Sequence, residues 1–270
     1  MNGLYLYCIR ERTESAPAIS NKGIDGNGKV FALAYRDIEA VVSQVSLEEF
    51  ASEEIQHKAQ EDVNWIKDKA LIHESIIEEA MKKTGGGMLN LMPMRFGIVF
   101  REKAKLEETL GRDYIKIKAV FDRIRGKQDW NVKGYLKDKA SFERAIKENN
   151  ETIRAKEKEI ASLPEGMAFF MEEELNALIS REIEKAITHM TEIAFERIKK
   201  LSVASIRNKA MGKELTGRRD PMVLNAACLI PDDGVEEFKK EIENINLELR
   251  AKGLALEYSG PWPAFDFSEY

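Results

Sequence analysis

Residues 3–9 (GLYLYCI) alternate aromatic and aliphatic side chains with the period of a strand. A polar, Gly-rich stretch from Glu11 to Gly28 follows, and then two strand-like runs, 29–36 and 38–45, that separate at Asp37 as a hairpin. From Leu47 to Lys83 the period changes to that of a helix. Phe50, Ile55, Ala59, Val63, Ile66, Ala70, His73, Ile77 and Ala80 recur every three or four residues, and Ser46 with Glu49 has the spacing of a capping box. Gly85–Gly87 end that helix. Residues 88–100 read as a buried strand region interrupted by Pro93, and 102–124 as a second helix ended by Gly126.

A second α/β pattern begins with the strand 130–137. Phe142, Ile146, Asn149, Ile153, Lys156, Ile160 and Leu163 then fall at alternating steps of four and three, which is heptad spacing. Pro164 and Gly166 mark a turn. A return helix, 167–200, carries Leu175, Ile179, Ile183, Ile187, Met190, Ala194 and Ile198 on one face. The pair predicts an antiparallel helical arm over 138–200. Strands at 201–208 and 222–230, a helix at 235–252 and a strand at 254–258 complete the chain. With the arm counted as one crossover, the second half has the β-α-β-β-α-β order of a ferredoxin-like fold. The expected class is α+β with two domains. Residues 1–126 form a smaller α/β sandwich related to the ferredoxin-like fold, and 127–270 a ferredoxin-like domain with the arm and a C-terminal aromatic strip, 259–270.

Composition narrows the function. Of 270 residues 43% are apolar and 33% charged, enough for sizeable cores under a charged surface. No apolar run is long enough for a membrane span, and the N-terminus lacks the pattern of a secretory signal. The net charge of −5, with Lys and Arg interspersed among Glu and Asp, disfavours nucleic acid as a partner. Cys8 and Cys228 sit in apolar runs and read as buried thiols of a cytoplasmic protein.

Candidate chemistry is sparse. Gly23-x-x-x-x-Gly28-Lys29 has Val30 where a phosphate-binding loop needs Ser or Thr, and a strand follows it instead of a helix, so it reads as a flexible loop. His57 and His73 lie too far apart on one helix to share a metal; His73 falls on the apolar stripe as a core residue, and His189 flanks the arm. Arg218 and Arg219 read as loop charge. No catalytic residue, metal or cofactor emerges.

The ending is different. In Gly260-Pro261-Trp262-Pro263-Ala264-Phe265-Asp266-Phe267, the two prolines hold the backbone extended. Trp262, Phe265 and Phe267 each carry a large apolar area. Two uses are open: the strip staples itself to its own domain, or it docks another protein.

The run Tyr258-Ser-Gly-Pro-Trp-Pro-x-Phe-x-Phe267 resembles the ending of the gas vesicle protein GvpL/GvpF family. Other stretches resemble that family in the same order: GLYLYCI at 3–9, HESIIEEAM at 73–81 with LMPMRFGIVF at 91–100, and WNVKGYL at 130–136. They single out His73, Pro93, Arg95, Phe96 and Trp130 as structural motif residues. The resemblance implies an accessory protein of gas vesicle assembly, found with the vesicle or in the cytoplasm. It implies contact with the small hydrophobic shell protein and with other accessory proteins, and no catalytic residue. Tyr258, Pro261, Trp262, Pro263, Phe265 and Phe267 are the expected partner-binding residues, with strand addition at Leu254–Tyr258 as one mode. Two other readings stand beside it. One is an enzyme with an interdomain pocket holding shifted carboxylates or His73. The other is an RNA binder that stacks bases on Tyr5, Tyr7, Phe31 and Tyr35.

Overall fold

The computed structural model describes residues 1–16 and 18–269, without the side chains of Ser52, Gln56, Ala59 and Glu165; Ala59 of the predicted stripe therefore lies outside the described side chains. The fold is α+β with two separate antiparallel sheets. The chain divides into two compact units, Met1–Gln128 together with the residues from Pro261 onward, and Asp129–Gly260. The last residues thus belong to the first unit. The sequence reading kept 259–270 with the second domain because chain order alone cannot show a segment returning to an earlier unit.

The first unit opens with β1 (Asn2–Glu11), β2 (Val30–Tyr35) and β3 (Ile38–Ser46). Tyr35 pairs with Ile38, so Arg36 and Asp37 make a two-residue hairpin turn, with Arg36 at φ 54°. The predicted long helix is three helices: α1 (Leu47–Phe50), α2 (Ser52–Glu61) and α3 (Val63–Met81). Ala51 and Asp62 are extended, and Asp62 accepts hydrogen bonds from the Asn64 and Trp65 amides to start α3. Hence Val63, placed on the apolar stripe by periodicity, is exposed. Ser46 caps α1 through the Glu48 amide, not through the predicted box with Glu49. β4 (Leu91–Pro93), β5 (Val99–Phe100) and α4 (Lys103–Ile124) follow.

The sheet runs β2-β3-β1-β4, with β5 also on β1. Residues 3–10 of β1 are all buried, because α3 and α4 both pack on this central strand. Arg10 is buried in it, donating to Glu39 at 2.6 Å and to the Ala80 carbonyl at 3.0 Å.

The second unit is built from β6 (Lys127–Leu136), α5 (Lys139–Asn149), α6 (Glu151–Ile160), α7 (Glu165–Lys199), β7 (Ala204–Arg207), α8 (Lys213–Thr216), β8 (Met222–Pro231), α9 (Val235–Arg250) and β9 (Leu254–Trp262). Its strands lie in the order β7-β8-β6-β9. The predicted single helix 138–163 breaks at Asn150, whose side chain accepts from the Ile153 amide and starts α6. Asn149, a predicted seam residue, is consequently exposed. The arm has its own apolar cluster of Ile153, Ile160, Leu175 and Ile179. A separate core joins Phe142, Ala194, Phe195 and Ile198 to β6, β8, β9 and α9.

β9 is an edge strand, and its middle is closed. Asn246 of α9 donates to the Leu256 carbonyl at 2.9 Å and accepts from the Leu256 amide at 2.7 Å. A side chain thus occupies backbone groups that an added strand would need. Replacing Asn246 with Ala leaves two buried backbone groups unpaired. Urea unfolding is expected to show a loss of about 2 kcal/mol or more; a loss under about 0.5 kcal/mol would mean that these bonds do not hold β9.

Candidate functional site

In the first unit, a buried relay fixes residues 94–97, from which Arg95 reaches Glu269 of the strip. His73 of α3 has Nδ1 3.1 Å from the Tyr5 hydroxyl and Nε2 3.0 Å from the Met94 carbonyl. The carbonyl accepts only, so Nε2 carries the proton and Nδ1 accepts from Tyr5. The Tyr5 oxygen in turn accepts from the Gly97 amide at 2.9 Å. One neutral imidazole therefore ties β1, α3 and residues 94–97 together. The rings of Tyr5, Tyr7 and Phe96 surround it at centroid distances of 5.6, 5.7 and 5.8 Å. Burial lowers the His73 pKa to about 4 and raises that of Tyr7 to about 12.

The strip lies on this unit. Pro263 and Ala264 are buried, and a 3-10 turn over Phe265–Phe267 packs against α4. Phe267 is 4% exposed. Arg123 at the end of α4 donates to the carbonyls of Phe267 and Glu269 at 3.1 and 3.2 Å. Arg95, one residue beyond the His73-bound Met94, pairs with the Glu269 carboxylate. Trp262 and Phe265 are each 39% exposed. The strip is thus anchored by one buried aromatic, while two others are partly exposed.

The family described as "Gas vesicle synthesis protein GvpL/GvpF" matches residues 3–269. The chain belongs to this family. It is 24% identical over 200 residues to gas vesicle protein F of Nostoc sp., covering 73% of this chain and 75% of that one. Gas vesicle protein L1 of Halobacterium salinarum is 22% identical over 272 residues, covering 99% and 90%. The crystal structure of the gas vesicle protein GvpF from Anabaena sp. superposes with a TM-score of 0.78 at 19% identity, over 100% of this chain and 99% of that one. At that identity the last comparison speaks for the fold.

In this GvpL/GvpF member the motif residues take distinct places. His73 is the relay, Pro93 ends β4 opposite Cys8, Arg95 holds Glu269, and Phe96 lines the relay. Trp130 and Tyr258 lie in the second unit, where their rings pack 5.8 Å apart and both meet Phe238. Sequence reading missed Arg123 and Glu269, which carry no pattern until the strip is seen on α4.

The chemistry weighed against the family takes other forms. The Gly23–Gly28 loop is an ordered turn closed by Gly23 N–H to the Gly28 carbonyl at 2.7 Å and by Asp25 accepting from the Gly28 amide. Arg218 grips Glu257 through two bonds of 2.6 and 2.9 Å and stacks on Tyr135. Tyr5 and Tyr7, which base stacking needs exposed, are fully buried. A depression of about 440 Å³ in the second unit is lined mainly by charged side chains, among them the Arg197–Glu241 pair. Among the described residues, no group of three or more His, Cys, Asp or Glu is placed to hold a metal, and no helix is long and apolar enough to cross a membrane.

Two outcomes follow from the relay and the anchor. His73 has a folded pKa of about 4 against 6.5 in the unfolded chain. Its neutral form is therefore free of penalty above pH 6.5, and stability is lost as pH falls from 6.5 towards 4. His73→Gln is less stable than wild type at pH 7. The gap should narrow by about 2 kcal/mol on going to pH 5, from 1.36 kcal/mol per pH unit; a constant gap in urea titrations at both pH values contradicts a buried neutral imidazole. Phe267→Ala removes the anchor. A protease specific for aromatic residues should then cut at Phe265 about tenfold faster or more, through local release of the strip. An unchanged rate would show that the anchor is elsewhere.

Proposed function

We propose that this protein is a gas vesicle assembly factor that binds the small hydrophobic shell protein and supports shell nucleation or growth, acting at the vesicle by contact and not by catalysis. Membership of the family supports the gas vesicle part. The observation that carries the contact is the strip: Trp262 and Phe265 stand half-exposed on a backbone clamped by Phe267, Arg123 and Arg95. An apolar shell subunit is prone to aggregate until it joins the wall. A pre-ordered aromatic pair covers part of such a surface at low entropic cost, because the prolines and the clamp have already fixed the backbone. The contact is assigned to these side chains and not to strand addition at Leu254–Tyr258, since Asn246 occupies Leu256. The framework of the second unit is taken as ferredoxin-like, a reading supported by its strand order.

The test is a pull-down with purified shell protein. Trp262→Ala/Phe265→Ala should weaken capture about tenfold or more, as expected for two interface aromatics, with an unchanged Tm. Undiminished capture at an unchanged Tm removes the strip from the mechanism.

A further inference from the structure

The helical arm of the second unit ends in an apolar cluster that its own packing does not use. Close to the turn, the seam between α6 and α7 is filled by Ile160, Ala168 and Met171. Met167, Phe169 and Phe170 occupy the same first turns of α7, yet they are 60%, 64% and 70% exposed. The two phenylalanine rings meet edge to face, with centroids 5.9 Å apart at 82°. Their mutual contact leaves most of both rings in water. Ile183, where α7 first packs against the core on the sheet, is ~20 Å further along the helix at about 1.5 Å per residue. The cluster is therefore remote from the packing that stabilises the unit.

Charge identifies what such a patch accepts. Residues 157–174 contain six glutamates against a single basic residue, Lys158. Glu172 and Glu173, which follow the phenylalanines after Met171, are exposed, whereas Glu174 is paired with Lys156 at 2.7 Å. An aromatic cluster inside an acidic collar repels an anionic membrane, and it repels the same tip of a second copy. It suits an apolar surface bordered by Lys or Arg.

We infer that the arm tip is a docking site for a basic amphipathic segment of another protein, with Phe169 and Phe170 taking its apolar face and Glu172 and Glu173 its cationic rim. This goes beyond the strip reading, because the strip lies in the first unit and shares no residue with the tip.

The test uses the full chain and an amphipathic Leu/Lys helical peptide, followed by fluorescence anisotropy, with a Leu/Glu peptide of the same apolar pattern for comparison. The Leu/Lys peptide should bind at least about tenfold more tightly, a difference of about 1.4 kcal/mol. Phe169→Ser/Phe170→Ser should lose that binding with helical circular dichroism unchanged. Glu172→Gln/Glu173→Gln should weaken it and flatten its salt dependence. Trp262→Ala/Phe265→Ala should bind the peptide like wild type, so failure of the tip and failure of the strip are distinguishable. The proposal is overturned if the two peptides bind alike, or if neither binds. It also falls if the serine variant binds as wild type does. Sedimentation showing self-association through Phe169 and Phe170 would reassign the tip to a second copy. Phe-dependent uptake by phosphatidylcholine or phosphatidylglycerol vesicles would reassign it to lipid.

Discussion

The first unit depends on an imidazole that has to stay neutral. His73 donates one proton to a main-chain carbonyl and accepts another from a tyrosine, so protonation would break the Tyr5 bond and place a charge among rings. Because each partner sits on a different segment, the geometry of 94–97 follows from it. Arg95 then emerges one residue past the Met94 carbonyl and reaches Glu269. That ion pair is exposed and adds little, so the strip's firmer hold is on α4, through Phe267 and Arg123.

Local periodicity made much of this legible. β1, the β2–β3 hairpin, α4, α7 and α9 lie close to where the alternation and the helical stripes place them. The errors have a common cause. Asp62 and Asn150 use short polar side chains to cap a new helix, and an apolar stripe read across them runs on as though the backbone were continuous. The strip shows a different limit. Its three aromatics announce a surface contact, but only the fold shows that Phe267 takes the anchoring role and leaves Trp262 and Phe265 half-exposed. The arm tip was invisible for a related reason: Met167, Phe169 and Phe170 look like core residues in a helical run, and exposure is what sets them apart.

Where the chain leaves the second unit, one residue type is dictated. Gly260 has φ 144°, and a Cβ there would lie 2.8 Å from the Asp129 carbonyl and 3.1 Å from the Trp130 ring. Any side chain would have to displace the β6 backbone or the packed indole. Pro261 follows at once, on an edge strand where a missing amide is tolerated. The Gly-Pro-Trp-Pro sequence is thus a structural exit as well as the start of the exposed pair.

Exposed aromatics carry a solubility cost, and the chain meets it differently in the two places. Trp262 and Phe265 sit on a backbone held by Pro261, Pro263 and the buried Phe267. At the arm, two adjacent phenylalanines form a single cluster, and glutamates follow after Met171. A fixed backbone in one case and like charge in the other limit self-association without hiding the rings. A flexible tail with the same residues would achieve neither, because its aromatics would collapse onto each other or onto any exposed core. An ordered backbone limits such collapse while leaving aromatic rings exposed to water.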